Sequence, residues 1–311
     1  MAKKINQSGF SDWKPVQLPD LNGKTYVITG ANSGIGFAAA RLLGARGANI
    51  IMACRSMAKG KSALSQLKES YTGDVQLVQL DLSDLSSVRK AADDIKTRCD
   101  EIDGLINNAG IMMTPQEKTV DGFDLQMGAN HLGHFLLTGL LLERVEAASG
   151  RIVVLSSIAH KGRALDLEDF MSDQNYSPTR AYTQSKLANL MFAFELDRRL
   201  QAAGSNAICI ACHPGYTDTN LQSTGPTGFL KVFWSTMNKL AAQDLDAGAT
   251  PTVLAAAGSE AKRGSYYGPG RFGDTRGPVS DASVSEHALD KEKQKRLWEM
   301  SEQLVGLNWL T

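Results

Sequence analysis

The sequence predicts an α/β domain in which a parallel sheet is covered by helices on both faces. Three observations lead there. Short apolar runs alternate with amphipathic ones from residue 24 to about 260. The short runs read as buried strands, as in sheets covered on both sides. Each run also ends in a polar or glycine-bearing turn, on the edge where open α/β sheets bind ligands. A chain of 311 residues can bury one large core, and no linker, repeat or low-complexity tract divides it.

The strands are expected at 24–29, 49–54, 75–80, 104–107, 151–156 and 207–212. Helical patterns fall between them at 35–44, 59–70, 86–97, 119–148 and 179–203. Crossovers between such strands are right-handed. This core spans about 22–270 of a single domain, 1–311. Residues 1–22, polar with scattered aromatics at Phe10 and Trp13, are expected along the surface. Residues 217–243 break the alternation: Gly225-Pro226-Thr227-Gly228 precedes the apolar run 229–234, which reads either as a substrate cap or as a packed surface helix. An amphipathic C-terminal helix is expected at about 288–304, with Leu297, Met300 and Leu304 on its docked side.

Composition excludes several roles. The 33 basic and 33 acidic residues balance, which gives no electrostatic case for nucleic acid or an anionic membrane. Lys3 and Lys4 precede no apolar segment, so no signal peptide is expected. The longest apolar stretch, around 135–142, falls far short of the ~20 residues of a membrane span. A soluble, cytoplasmic protein is the expectation, with homo-oligomerisation left open. Cys209 and Cys212 match CxxC, but three residues apart on a strand they face opposite ways, and no second pair completes a zinc site. His131 and His134 have no accompanying metal pattern, so no metal is expected.

The chemistry gathers at the strand ends. Tyr182 and Lys186 lie four apart on a helix and share one face. An ammonium beside a phenol favours the phenolate, so the pair is a tunable general acid/base. Thr29-Gly30-Ala31-Asn32-Ser33-Gly34-Ile35-Gly36 ends the first strand. Its glycines allow a tight turn and close backbone approach to a pyrophosphate at a helix N-terminus. Asp81-Leu82 ends the third strand, Asn107-Asn108-Ala109-Gly110 the fourth, Ser156-Ser157 the fifth and His213-Pro214-Gly215 the sixth. After the second strand stand Cys54 and Arg55, where an NAD enzyme wants a carboxylate for the ribose hydroxyls. A neutral residue followed by a guanidinium suits a 2′-phosphate, and Ser33 can add a hydroxyl bond. NADP(H) is therefore the expected cofactor.

TGxxxGxG, NNAG, a strand-five serine, YxxxK and a PG turn occur in that order. Over about 22–270 the chain resembles the classical short-chain dehydrogenase/reductase family. The run from Asn130 to Thr138, the run from Arg180 to Asn189 and the tail Arg296-Leu297-Trp298-Glu299 look like its retinol-dehydrogenase-like and protochlorophyllide-oxidoreductase-like branch. The resemblance implies a three-layer Rossmann fold with a doubly wound sheet of about seven strands, and hydride transfer by a tetrad of Asn130, Ser157, Tyr182 and Lys186. Tyr182 would exchange the proton, with Lys186 stabilising the tyrosinate and holding the nicotinamide ribose. Ser157, favoured over Ser156, would bond the developing oxyanion. Asn130 would support a water linking Lys186 to solvent. The cofactor set is Gly30, Asn32, Ser33, Gly34, Ile35, Gly36, Arg55, Asp81, Leu82, Asn108, Ala109, Gly110, Tyr182, Lys186, Pro214, Gly215, Thr217 and Thr219.

The 24 residues between Ser157 and Tyr182 are about twice what many classical members carry, and include Asp166, Asp169, Asp173 and Tyr176. They are expected to form a loop beside the substrate pocket. The leading reading is an NADPH-dependent reductase, or the reverse alcohol dehydrogenase, acting on a bulky apolar ketone or aldehyde. Two alternatives stand beside it. One is a catalytically silent nucleotide-binding regulator, which the intact tetrad opposes. The other is a carbon–carbon double-bond reductase, which Ser157 disfavours because those relatives generally carry threonine there.

Overall fold

In the computed structural model, residues 2–5, 8–9, 12–69, 71, 73–216 and 244–310 are described. The first six strands form where the apolar runs place them: β1 (Thr25–Thr29), β2 (Asn49–Cys54), β3 (Val75–Gln79), β4 (Gly104–Asn107), β5 (Arg151–Leu155) and β6 (Ile208–Cys212). They pair in parallel, with Val27 opposite both Ile51 and Leu105. Between them run α1 (Gly34–Gly44), α2 (Met57–Lys68), α3 (Leu85–Arg98), α4 (Gly133–Ala147) and α5 (Pro178–Ala202). The helix starts are chemically marked. Ser56 caps α2 by accepting the Lys59 N–H, and Asp84 caps α3 by accepting those of Ser86 and Ser87.

After α6 (Leu245–Ala257) the chain adds β7 (Tyr266–Arg271) and β8 (Arg276–Asp281), and α7 (Lys291–Val305) follows. The sheet order is β3-β2-β1-β4-β5-β6-β7-β8. The expected seven strands correspond to the parallel part, and antiparallel β8 makes an eighth. Strand order reverses between β1 and β4, which opens a crevice at the carboxyl edge.

Alternate strand residues feed two apolar layers. Val27, Ile51, Leu105 and Ile152 pack with α3, α4 and α5, and α7 closes that layer with Leu297 and Trp298. Ile28, Ile50, Ile106 and Val153 pack with α1, α2 and α6. Cys209 belongs to the first layer and Cys212 to the second, so the CxxC sulfurs are divided by the sheet.

One expectation is corrected here and another refined. The helix expected from 119 starts at Leu125, because Asp124 caps it and accepts the Met127 N–H at 2.8 Å. One turn later comes a π-turn, Gly128–Leu132, which leads into α4. The described part of the N-terminal segment lies along the surface, with Val16 74% exposed, and is anchored inward by Trp13 (3% exposed) and Leu18 (1%). Trp13 bridges to Val279, Lys3–Lys4 pairs with Ser283–Val284, and the Trp13 indole donates to Glu260 at 2.9 Å. Phe10 lies outside the described residues.

Candidate active site

A cavity of about 1150 Å³ opens at the crevice between β1 and β4. The turn after β1 forms one wall. Gly30 sits at φ +67°, and a side-chain carbon on Gly36 would lie 2.4 Å from Asn108 Nδ2 and 2.7 Å from the Gly30 carbonyl. Only bare backbone packs that closely. The neighbouring turn is tied to it: Asn108 Nδ2 donates to Thr29 O at 2.7 Å, and Thr29 Oγ1 accepts the N–H groups of Asn108 and Ala109, both at 2.9 Å.

His134 joins this knot to the π-turn. Its Nδ1 contacts the Asn130 carbonyl and its Nε2 contacts Thr29 Oγ1, both at 2.9 Å. A carbonyl only accepts, so Nδ1 carries the proton and Nε2 receives the threonine hydroxyl. Burial lowers the His134 pKa to about 4, consistent with that neutral tautomer.

Asn32, Ser33, Gly34 and Ile35 line the cavity ahead of α1, and the Ser33 hydroxyl makes no cap hydrogen bond. Arg55 lines it beyond β2, together with Ser56 and Lys59, and neither Arg55 nor Lys59 forms an ion pair with a described residue. Asp81 and Leu82 follow β3. The Asp81 carboxylate is turned back on Ser83, accepting its N–H at 2.9 Å and its hydroxyl at 2.6 Å.

On α5, Tyr182 and Lys186 both face the cavity, with Lys186 Nζ 5.9 Å from the centre of the Tyr182 ring. Lys186 Nζ donates to Leu155 O at 3.3 Å, and burial lowers its pKa to about 8. The expectation that this ammonium pulls the phenol down is not met. Burial holds the Tyr182 phenol above its ordinary value, and the opposing influence comes from the Ser157 side chain. Ser157 Oγ also accepts the Ala159 N–H at 3.2 Å, capping the short 3₁₀ turn Ile158–Lys161. Ser156 borders the cavity too, but its hydroxyl donates to Lys186 O at 2.7 Å.

Asn130 stands behind the wall rather than in it. Its Oδ1 accepts the Ile111 N–H at 2.8 Å, and its Nδ2 donates to Ile111 O at 3.0 Å and Ser185 Oγ at 2.9 Å. A side chain on Gly110 would meet Asn130 Oδ1 at 3.3 Å and Lys186 Nζ at 3.4 Å. The bare Gly110 backbone therefore borders both residues.

Ala109, Gly110, Pro214 and Gly215 complete the expected lining. Thr217, Thr219 and all of 217–243 lie outside the described residues. The lining residues that escaped the sequence reading include Lys59, Met112, Met113 and Tyr216. Lys59 carried a usable signal, a cation one helical turn beyond Arg55. The methionines carried none, since nothing local separates them from core residues. The insertion borders the cavity at its two ends. Of residues 158–180, only Ile158, Ala159 and Thr179 reach the cavity. Elsewhere in it Leu165 and Phe170 are buried and Arg180 pairs with Asp166 at 2.8 Å, while Gly162, Arg163 and 173–175 are exposed.

Residues 24–227 match the short chain dehydrogenase family, and the chain belongs to that family. Its relatives place it in the retinol-dehydrogenase-like branch. Human retinol dehydrogenase 12 is 40% identical over 300 residues, covering 94% of this chain and 89% of its own. Human retinol dehydrogenase 13 is 40% identical over 300 residues, covering 92% and 86%. A crystal structure of an uncharacterized protein from Mycobacterium paratuberculosis shares 43% identity at a TM-score of 0.80, covering 96% of this chain and 99% of that one. A short chain dehydrogenase from Burkholderia cenocepacia, solved with NADP, shares the fold at a TM-score of 0.62 and 22% identity, covering 79% and 96%. Among the described residues, no helix is long and apolar enough to cross a membrane.

Proposed function

We propose that this oxidoreductase is NADPH-dependent and moves a hydride between nicotinamide and the carbonyl or alcohol carbon of a bulky apolar small molecule, with Tyr182 as general acid/base. One observation carries the reading: Tyr182, Lys186 and Ser157 line the same cavity as the glycine turn after β1. The residues fit a dinucleotide. Gly30, Gly34 and Gly36 present bare backbone to the cavity at the N-terminus of α1, whose positive dipole end suits a pyrophosphate. Arg55 and Lys59 supply two cations where a 2′-phosphate would distinguish NADP from NAD. When bound, the nicotinamide supplies or receives the hydride.

The chain's own groups handle the proton. At neutral pH the Tyr182 phenol, raised by burial, keeps its hydrogen and can deliver it to a carbonyl oxygen. Ser157, on the same cavity wall, is placed to stabilise the same oxygen as charge develops. Lys186, still largely an ammonium near neutrality, opposes the negative charge left on Tyr182. In the alcohol-oxidising direction the same groups run in reverse. The even balance of 33 basic and 33 acidic residues supports a small-molecule partner rather than nucleic acid.

The test is absorbance loss of NADPH over a panel of ketones and aldehydes graded in size and polarity, repeated with NADH. Consumption with large apolar members is expected, and faster with NADPH. A chain that binds NADPH and reduces nothing in the panel, in either direction, would be a nucleotide-binding regulator instead.

A further inference from the structure

Gln126 is fully buried, yet it does not line the cavity. All its polar atoms are committed, to three residues in two segments distant in sequence. Its Oε1 accepts the Met113 N–H at 2.8 Å, and its Nε2 donates to the Tyr176 hydroxyl and to the Pro178 carbonyl, both at 3.1 Å. The amide orientation is fixed, because an N–H needs the oxygen and a carbonyl needs the nitrogen. Tyr176 passes the connection on, donating to Thr114 O at 2.7 Å. One side chain thus fastens the loop after β4, the insertion before α5 and the first residue of the helix that carries Tyr182.

What it fastens is under strain. Met113 has φ +53°, a left-handed conformation that a bulky residue adopts only when its surroundings impose it. Met113 and its neighbour Met112 both line the cavity, as does Leu125, the residue beside Gln126. Methionine side chains adapt readily to apolar shapes. A methionine surface on a backbone held in one unusual conformation fits an apolar substrate body whose size is to be read.

We propose that Gln126, acting with Tyr176, is a positioning residue that sets the shape of the methionine wall and so determines which carbonyl substrates are accepted by size. The proposal deepens the carbonyl-reductase reading and rests on it. It also gives the long insertion a role: Tyr176 braces the wall from behind rather than touching substrate.

The experiment compares the full chain with Gln126→Leu and Tyr176→Phe, using decanal and propanal with NADPH, and measures NADPH affinity separately by fluorescence. Gln126→Leu should lose about tenfold or more in kcat/KM for decanal, carried by KM, the scale on which displaced apolar contacts discriminate substrates. Propanal should change less than about twofold, and NADPH affinity should stay the same. Tyr176→Phe, a milder change at a half-buried position, should shift decanal in the same direction by less, and it decides the matter alone if Gln126→Leu does not fold. Equal losses for both aldehydes, or none for either, overturn the proposal. Hydrogen exchange over residues 111–115 separates this failure from failure of the function. If the unaltered chain reduces neither aldehyde, the carbonyl reading falls and size discrimination with it. Faster exchange in Gln126→Leu would still establish that Gln126 holds the wall, whereas unchanged exchange would overturn that as well.

Discussion

At the scale of single residues, the proposed chemistry rests on a phenol that holds its proton and an ammonium that holds less firmly than usual. Burial raises Tyr182 and lowers Lys186 to about 8. Tyr182→Phe keeps the ring and removes the exchangeable proton. Turnover should drop at least about a hundredfold, the lower end of general acid catalysis. The fold, by circular dichroism, and NADPH affinity should persist; near-normal turnover would reassign the proton donor. Arg55→Ala tests cofactor choice. NADPH binding should weaken by about 1.5–3 kcal/mol, the range for a hydrogen bond to a charged group, while NADH binding barely moves. Equal weakening of both cofactors would show that Arg55 does not read the 2′-phosphate.

At the scale of elements, the turn after β1 is the tightest joint in the site. Gly36→Ala would press a methyl against Asn108 Nδ2 and the Gly30 carbonyl, at 2.4 and 2.7 Å before relaxation. Overpacking of this kind costs about 1–3 kcal/mol. Thermal melts should show a lower midpoint and loss of the stabilisation that NADPH gives the unaltered chain. A variant that melts normally and still responds to NADPH would mean the turn yields without cost.

The elements also show what could be read beforehand. Six strands were legible because each is a short apolar run buried on both faces. β7 was not, since Gly268, Pro269 and Gly270 deny it that signature, and its pairing with β6 covers only Ala211 with Tyr266 and Cys212 with Tyr267. α6 was obscured by Pro251 within it. In the site, motif residues were legible because their turns are local. Met113 and Gln126 were not, because what joins them is a contact between segments distant from the glycine turn, and a left-handed methionine leaves no mark in a sequence. The direction of the Tyr182 shift was missed for a related reason: burial of a side chain is a property of the whole fold.

At the scale of the molecule, four histidines are buried and neutral. Burial lowers His131 and His213 to about 3, and His134 and His160 to about 4. Each binds a proton more readily unfolded, near pH 6.5, than folded. Their contribution is therefore fully present above about pH 6.5 and is lost as pH falls toward the native values. Each lowers stability by up to about 1.4 kcal/mol per pH unit within that window. Urea midpoints measured from pH 7 to 5 should fall steadily, and a flat profile would show that the rings reach solvent or a counter-charge when protonated.

The same scale sets the timing of synthesis. Trp13 and the indole's acceptor Glu260 are 247 residues apart, and Ser8 waits across 273 residues for Asp281. At ~5–20 residues per second, a ribosome needs on the order of 10–50 s to make that interval. Through that time the indole lacks both its acceptor Glu260 and the bridge to Val279. The stretch of chain made early is therefore sealed late, and a nascent chain stalled before residue 260 would carry an open sheet and a bare indole, the kind of surface that holdase chaperones grip.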